Sequence, residues 1–204
     1  MASIYDIKPA FQNLLRPLTR SLAAAGVTAN QVTLGAAVLS VAVGAGIAAW
    51  PAAHWPLLVM PGFLFVRMAL NAIDGMLARE HAMKSRLGAV LNEIGDVVAD
   101  TALYLPLAAV TVFNGHLVIL AVVLGIITEM TGVVAVQIGA TRRYDGPMGK
   151  SDRAFVFGLL ALLAGLGVPA GPWFTWALLL MVILLGWTVI NRARHALAET
   201  AGRP

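Results

Sequence analysis

The sequence predicts an all-α polytopic membrane protein: six transmembrane helices preceded by an N-terminal amphipathic interfacial helix. Three observations carry that expectation. Of 204 residues, 59% are hydrophobic and only 12% charged, with a mean hydropathy of +0.83, whereas an average soluble domain has roughly 25% charged residues. Apolar runs of about 20 residues, the length that crosses a bilayer, recur along the chain. Thirteen of the fourteen Lys and Arg residues lie between or beyond those runs, and Arg67 alone lies inside one.

Residues 1–27 form the first element. Ile7, Phe11, Leu14, Leu15, Leu18 and Leu22 recur at helical spacing among Lys8, Arg16 and Arg20, a pattern suited to a helix lying along anionic headgroups. The segment lacks the apolar core and small-residue cleavage site of a signal peptide, so no processing is expected. GVTANQV then turns the chain, with Thr28 or Asn30 as helix cap. The expected spans are 31–50, 55–78, 87–113, 116–140, 154–168 and 173–190, which makes residues 28–191 a six-helix membrane bundle and 192–204 a basic tail in a single domain.

Lys and Arg gather in the N-terminal segment, in 79–86, in 142–153 and in the tail, while the alternate loops have none. The positive-inside rule then places both termini and the 79–86 turn on the cytoplasmic side, in the cell membrane if the source is bacterial. The same rule accounts for the net charge of +4 and the pI near 10.0 without a nucleic-acid partner. The absence of cysteine excludes disulfides, thiol catalysis and cysteine metal sites.

The chemistry concentrates between Asn71 and Asp100. Asp74, Glu93, Asp96 and Asp100 sit in otherwise apolar helical sequence, where a charge at mid-bilayer costs roughly 2.5 to 3.5 kcal/mol on insertion scales. On the second span Asn71, Asp74, Gly75 and Ala78 occupy one helical stripe. Gly88, Asn92, Asp96 and Asp100 form another on the third, with Glu93 about 100° round from Asn92. Asn71 and Asp96 both lie roughly 12 to 15 Å along their helices from the intervening turn, so the two stripes match in depth and open toward the cytoplasm.

Carboxylate and amide oxygens suit hard cations, and Mg²⁺ commonly shares such sites with substrate phosphates. Gly75 and Gly88 leave room for a ligand close to the backbone, and Arg79 can fork onto phosphate oxygens. The chemistry suggested is a cation-held pyrophosphate attacked by a hydroxyl, with a spare carboxylate taking the proton.

From Asn71 to Asp96 the sequence resembles the CDP-alcohol phosphotransferase signature, D-x2-D-G-x2-A-R-x8-G-x3-D-x3-D, at every spacing. Asp74, Gly75, Ala78, Arg79, Gly88 and Asp96 match it in residue type, and Asn71 and Asn92 replace its first and third aspartates. GVTANQVT is similar to the family's TPN-x-(V/L)-T lead-in to the first span. The resemblance implies transfer of a phospho-alcohol unit from a CDP-alcohol such as CDP-diacylglycerol to an acceptor alcohol, with release of CMP, in phospholipid biosynthesis. Carried over, it makes Asp74 a metal ligand beside the positions of Asn71 and Asn92, and Asp96 a residue of the metal site and also the base; Glu93, a further candidate ligand, and Asp100 neighbour these on the same helix and could restore the charge the two amides lack. Gly75, Ala78 and Gly88 border the nucleotide, Arg79 meets its phosphates, and one or two Mg²⁺ or Mn²⁺ ions serve as cofactor. Membrane lipids and, by the family alone, a second copy of the chain are the further partners. With two carboxylates replaced by amides, the alternative is a catalytically lapsed member that binds nucleotide or lipid. A cation transporter is a more distant rival, because polarity is confined to one side of the midplane.

Several residues retain two readings. Asp74 and Asp96 could simply pair with Arg67 or Arg79, and Glu93 and Asp100 with a neighbouring helix. Arg67 either offsets the acidic site or pairs with Glu129. Arg142, Arg143, Lys150 and Arg153 either bind an anionic acceptor or headgroup or express the positive-inside bias. GPMGKS lacks the Walker spacing, and the four scattered histidines are read as unrelated to metal.

Overall fold

The computed structural model describes the backbone of residues 4–201 and the side chains of residues 9–201, so Ile7 and Lys8 of the expected amphipathic face, and Arg203 of the tail, lie outside the described residues. Among the described residues the chain is all α: α1 (Ile4–Ala24), α2 (Ala29–Ala49), α3 (Trp55–Glu80), α4 (Arg86–Tyr104), α5 (Gly115–Gln137), α6 (Lys150–Gly165) and α7 (Pro172–Thr200), with a 3-10 turn at Leu105–Ala109.

The expectation of six transmembrane helices plus an interfacial helix is not met. Four helices, α2, α3, α5 and α7, are long and apolar enough to cross a membrane. α4 fails because Glu93, Asp96 and Asp100 punctuate its 19 residues, and it ends where Pro106, which has no N–H to continue the ladder, opens the 3-10 turn. α6 has 16 residues, about 24 Å at 1.5 Å per residue, short of a hydrocarbon core of about 30 Å. The four long helices expose large apolar side chains such as Val38, Phe65, Val123, Leu180 and Ile183, a surface that water would not tolerate. The protein is an integral membrane protein.

Local chemistry sets the helix ends. Thr28 and Gln31 form a reciprocal capping box at the start of α2, the Gln31 N–H donating to Thr28 Oγ1 (3.3 Å) and the Thr28 N–H to Gln31 Oε1 (2.8 Å). Ser85 caps α4 by accepting from the Gly88 N–H at 2.9 Å. Asn114 caps α5 by accepting from the Leu117 N–H at 3.2 Å.

The chain divides into two compact units, Met1–Ala42 with Gly62–Ala99, and Val43–Pro61 with Asp100–Pro204. The core of the first is Ala29, Val32, Ile73 and Leu77, with Leu15, Leu22 and Leu70 packed against it. The helix expected along the headgroups is therefore bound into this unit. Phe11 of α1 meets Phe65 edge-on at 5.9 Å, and Arg16 bridges Glu80 at 3.0 Å, while Leu14 and Leu18 remain exposed.

In the second unit a Cβ on Gly44 would come within 1.8 Å of the Ala102 carbonyl oxygen, so the backbones there meet as only glycine allows. Tyr104 stacks on Phe157 at 4.5 Å. Arg153 donates to Asp100 (2.9 Å), Glu129 (3.1 Å) and Thr128 (3.1 Å). Glu129 also holds Arg142 at 3.1 Å and Arg192 at 3.6 Å, and Arg192 reaches the Asp145 carbonyl at 3.2 Å. Arg143 bridges Asp145 (2.8 Å) and Glu199 (2.9 Å). Four arginines are thus matched by four carboxylates. Removing one member of a buried pair strands the others at a cost of about 3–5 kcal/mol, and Glu129 serves three guanidiniums. Glu129→Ala is expected to lower the thermal unfolding temperature in detergent more than any other single carboxylate-to-alanine change in this network, as read by fluorescence-detected size-exclusion chromatography.

Candidate active site

The first unit holds the two polar stripes. On α3, Arg67, Asn71, Asp74 and Ala78 follow one another at i, i+4, i+7 and i+11, so one face carries them all. Arg67 and Asp74 are buried at 3% and 6% exposure, Asn71, Gly75 and Ala78 are half-buried, and Arg79 is exposed. On α4, Asn92 is exposed and Glu93 and Asp96 are half-buried. Arg79, next to residues 81–85, is exposed, and Arg67, at the far end of the α3 stripe, is buried.

Each of the two signature acids has a specific neighbour. Asp74 Oδ2 accepts from the Thr33 hydroxyl of α2 at 2.8 Å, which also lies 3.1 Å from the Ala29 carbonyl, so one proton is shared between two acceptors. Arg67 Nη2 lies 3.6 Å from Asp96 Oδ1 and donates to the Asp96 carbonyl at 3.3 Å. Arg67 is thus in contact with Asp96, one of the signature acids. Thr33 was missed as a site residue, although it is the final Thr of GVTANQVT; hydropathy does not register a single hydroxyl.

The two signature glycines act differently. A Cβ on Gly75 would lie 3.1 Å from both terminal nitrogens of Arg79, so the guanidinium folds back across the glycine. A Cβ on Gly88 would lie 2.7 Å from Asn30 Oδ1 and 3.0 Å from Ser85 Oγ. The Asn30 amide donates toward Ser85 Oγ at 3.5 Å, so Asn30 of α2 closes over the start of α4.

Among the described residues no group of three His, Cys, Asp or Glu side chains is gathered as a preformed metal cage. The donor set is nevertheless all oxygen: carboxylates at Asp74, Glu93 and Asp96 and amides at Asn71 and Asn92. Such a set fits a hard divalent ion that completes its shell from a substrate diphosphate, and it excludes a soft-metal site. Asp100, Glu129, Arg142, Arg143 and Arg153 lie in the second unit and are engaged there with one another and with Asp145, Arg192 and Glu199. Lys150 begins α6 and is half-buried.

Residues 26–190 match the family model described as CDP-alcohol phosphatidyltransferase. This chain belongs to that family, whose members carry out phosphotransfer from CDP-alcohols. It is 49% identical over 205 residues to the inner membrane protein YnbA of Escherichia coli strain K12, covering 98% of each. Its fold is that of the Mycobacterium tuberculosis phosphatidylinositol phosphate synthase PgsA1. The structure of that protein with CDP-DAG bound matches at a TM-score of 0.78 and 20% identity, over 92% of this chain and 96% of the other. Its complex with manganese and citrate gives 0.78 and 20%, over 92% and 91%.

The two glycines yield contrasting expectations. Gly75→Ala meets only the flexible end of Arg79 and gains up to about 1 kcal/mol of helix propensity, so the unfolding temperature holds or rises slightly. Gly88→Ala drives into Asn30, and overpacking of this kind costs about 1–3 kcal/mol, so here the unfolding temperature falls.

Proposed function

We propose that the protein transfers a phospho-alcohol group, phosphatidyl in the simplest case, from a CDP-alcohol such as CDP-diacylglycerol to an acceptor alcohol, releasing CMP. The observation that carries the reading is the approach of Arg67 of α3 to Asp96 of α4, with Asp74 buried on the Arg67 stripe and held by Thr33. The contact joins the α3 stripe that carries Asn71 and Asp74 to a signature acid of α4, which supports reading the two stripes as one site. The mycobacterial fold relative with CDP-DAG bound supports the choice of donor, and the one with manganese supports a divalent ion.

Asp74 would be the principal ligand for Mg²⁺ or Mn²⁺, with Asn71, Asn92 and Glu93 as the further oxygen donors. When bound, the ion draws charge from the diphosphate and so eases departure of CMP. Arg79, folded over Gly75, meets the donor phosphates, and Gly75, Ala78 and Gly88 border the nucleotide. Asp96, its carboxylate oriented by Arg67, accepts the proton of the incoming hydroxyl, which attacks the phosphorus distal to the cytidine. The open end of the stripes lies beside Arg79, Lys84 and Arg86, and those cations favour the cytoplasmic face for the site.

Arg142, Arg143, Lys150 and Arg153, all of the second unit, are proposed as anion-binding residues for an acceptor or headgroup. Since carboxylates already engage the three arginines, a phosphorylated acceptor would have to displace them and a neutral alcohol would not.

A second reading, a lapsed enzyme that binds nucleotide without turnover, draws on Asn71, Asn92 and the Arg67–Asp96 pair, which could serve structure alone. Purified protein with CDP-diacylglycerol, Mg²⁺ or Mn²⁺ and a panel of neutral and phosphorylated alcohols is expected to release CMP, with Asp96→Asn slower by about 10²-fold or more. No CMP with any acceptor, together with turnover gained by Asn71→Asp/Asn92→Asp, would decide for the lapsed enzyme.

A further inference from the structure

A third helix of the first unit reaches the polar stripes. The capping box of Thr28 and Gln31 fixes where α2 begins, and the helical period then places Asn30 and Thr33, three residues apart, on one face. Asn30 lies against Gly88 and Ser85 at the start of α4. Thr33 meets both stripe helices. Its hydroxyl lies 2.8 Å from Asp74 Oδ2 on α3, and a Cβ on Gly95 of α4, the residue before Asp96, would stand 3.6 Å from its methyl group. Ala29 and Val32 of α2 share a buried core with Ile73 and Leu77, which bracket Asp74 along α3. Apolar packing therefore holds the two helices together around the hydroxyl and the carboxylate.

The Thr33 hydroxyl carries one proton and faces two acceptors, Asp74 Oδ2 and, at 3.1 Å, the Ala29 carbonyl. A bond back to the carbonyl one turn earlier is an ordinary habit of threonine in helices. An ionised carboxylate is the stronger acceptor, because bonds to a charged partner are shorter and roughly twice as strong. It can only accept, so the hydroxyl is the donor in this contact. One oxygen of Asp74 is thereby held by the protein itself, at a residue whose 6% exposure leaves little water to do so.

We propose that Thr33 is a positioning residue for Asp74: its hydroxyl holds Oδ2 and so sets the direction in which the carboxylate meets a divalent ion. This rests on the reading of Asp74 as a ligand of that ion. Groups that hydrogen-bond a metal ligand fix its orientation, and losing one costs about 10- to 100-fold in metal affinity. Threonine combines two contacts at this point, the hydroxyl toward α3 and the methyl toward α4. Serine keeps only the first, and valine only the second.

The test compares the two halves of the side chain. Mn²⁺ affinity of the purified chain, with CDP-diacylglycerol present, is read from loss of the free-ion electron paramagnetic resonance signal, and the unfolding temperature is measured without Mn²⁺. Thr33→Val is expected to bind Mn²⁺ about 10- to 100-fold more weakly than the native chain, and Thr33→Ser to stay within about threefold of it. The serine variant keeps that affinity even where loss of the methyl lowers its unfolding temperature, which separates positioning from packing. Thr33→Cys, similar in shape with a weak thiol donor, should fall between the two, and it replaces the valine variant should that one not elute as a monodisperse peak. Native affinity in the valine and cysteine variants, or equal weakening in serine and valine, would overturn the proposal and leave the functional reading standing. No Mn²⁺ bound by the native chain would overturn the functional reading and the proposal with it.

Discussion

Carboxylates set among apolar helices need partners, and this requirement organises the first unit. Asp74 is buried against the hydroxyl of Thr33, and Asp96 is held by Arg67 through side chain and backbone. These contacts tie α2 to α3 and α3 to α4, so the polar side chains that would carry chemistry also fasten the helices that present them. Arg67 and Asp74 are buried, whereas Asn92 and Arg79 are exposed.

The second unit solves the same problem in the opposite way. Glu129, Asp100, Asp145 and Glu199 are each engaged by arginine, and Arg142, Arg143, Arg153 and Arg192 are each engaged by carboxylate. Charge is cancelled within the protein, and little is left over for a ligand. Asp145 illustrates the balance: burial alone would raise its pKa, yet its backbone N–H, Arg143 and His195 hold the carboxyl below its usual range. A carboxyl so depressed adds stability above its unfolded pKa of about 3.9 and loses it as the pH falls through the folded value.

Helical periodicity made the stripes legible. Asn71, Asp74 and Ala78 could be placed on one face, and Asn92 and Asp96 on another, because spacing alone fixes angle and depth on a helix. Thr28 was legible as a cap for the same local reason. The count of spans was not, since hydropathy scored LPLAAVTVF as continuous with the preceding helix and was blind to the backbone break at Pro106. Nor does an apolar run reveal that α6 is too short. Thr33 and the partners of Glu129 escaped because their roles are set by approach across the fold: Thr33 lies 41 positions from Asp74, and Arg192 lies 63 from Glu129.

The proposed reaction depends on a cation that Asp74 would hold against the donor's diphosphate. Electron–nuclear double resonance of Mn²⁺ on the protein with CDP-diacylglycerol reads that contact through the ³¹P hyperfine coupling. A strong ³¹P coupling of a directly coordinated phosphate, lost in Asp74→Asn, is expected. A fully hydrated Mn²⁺ with no ³¹P coupling, or a coupling indifferent to Asp74→Asn, would contradict it.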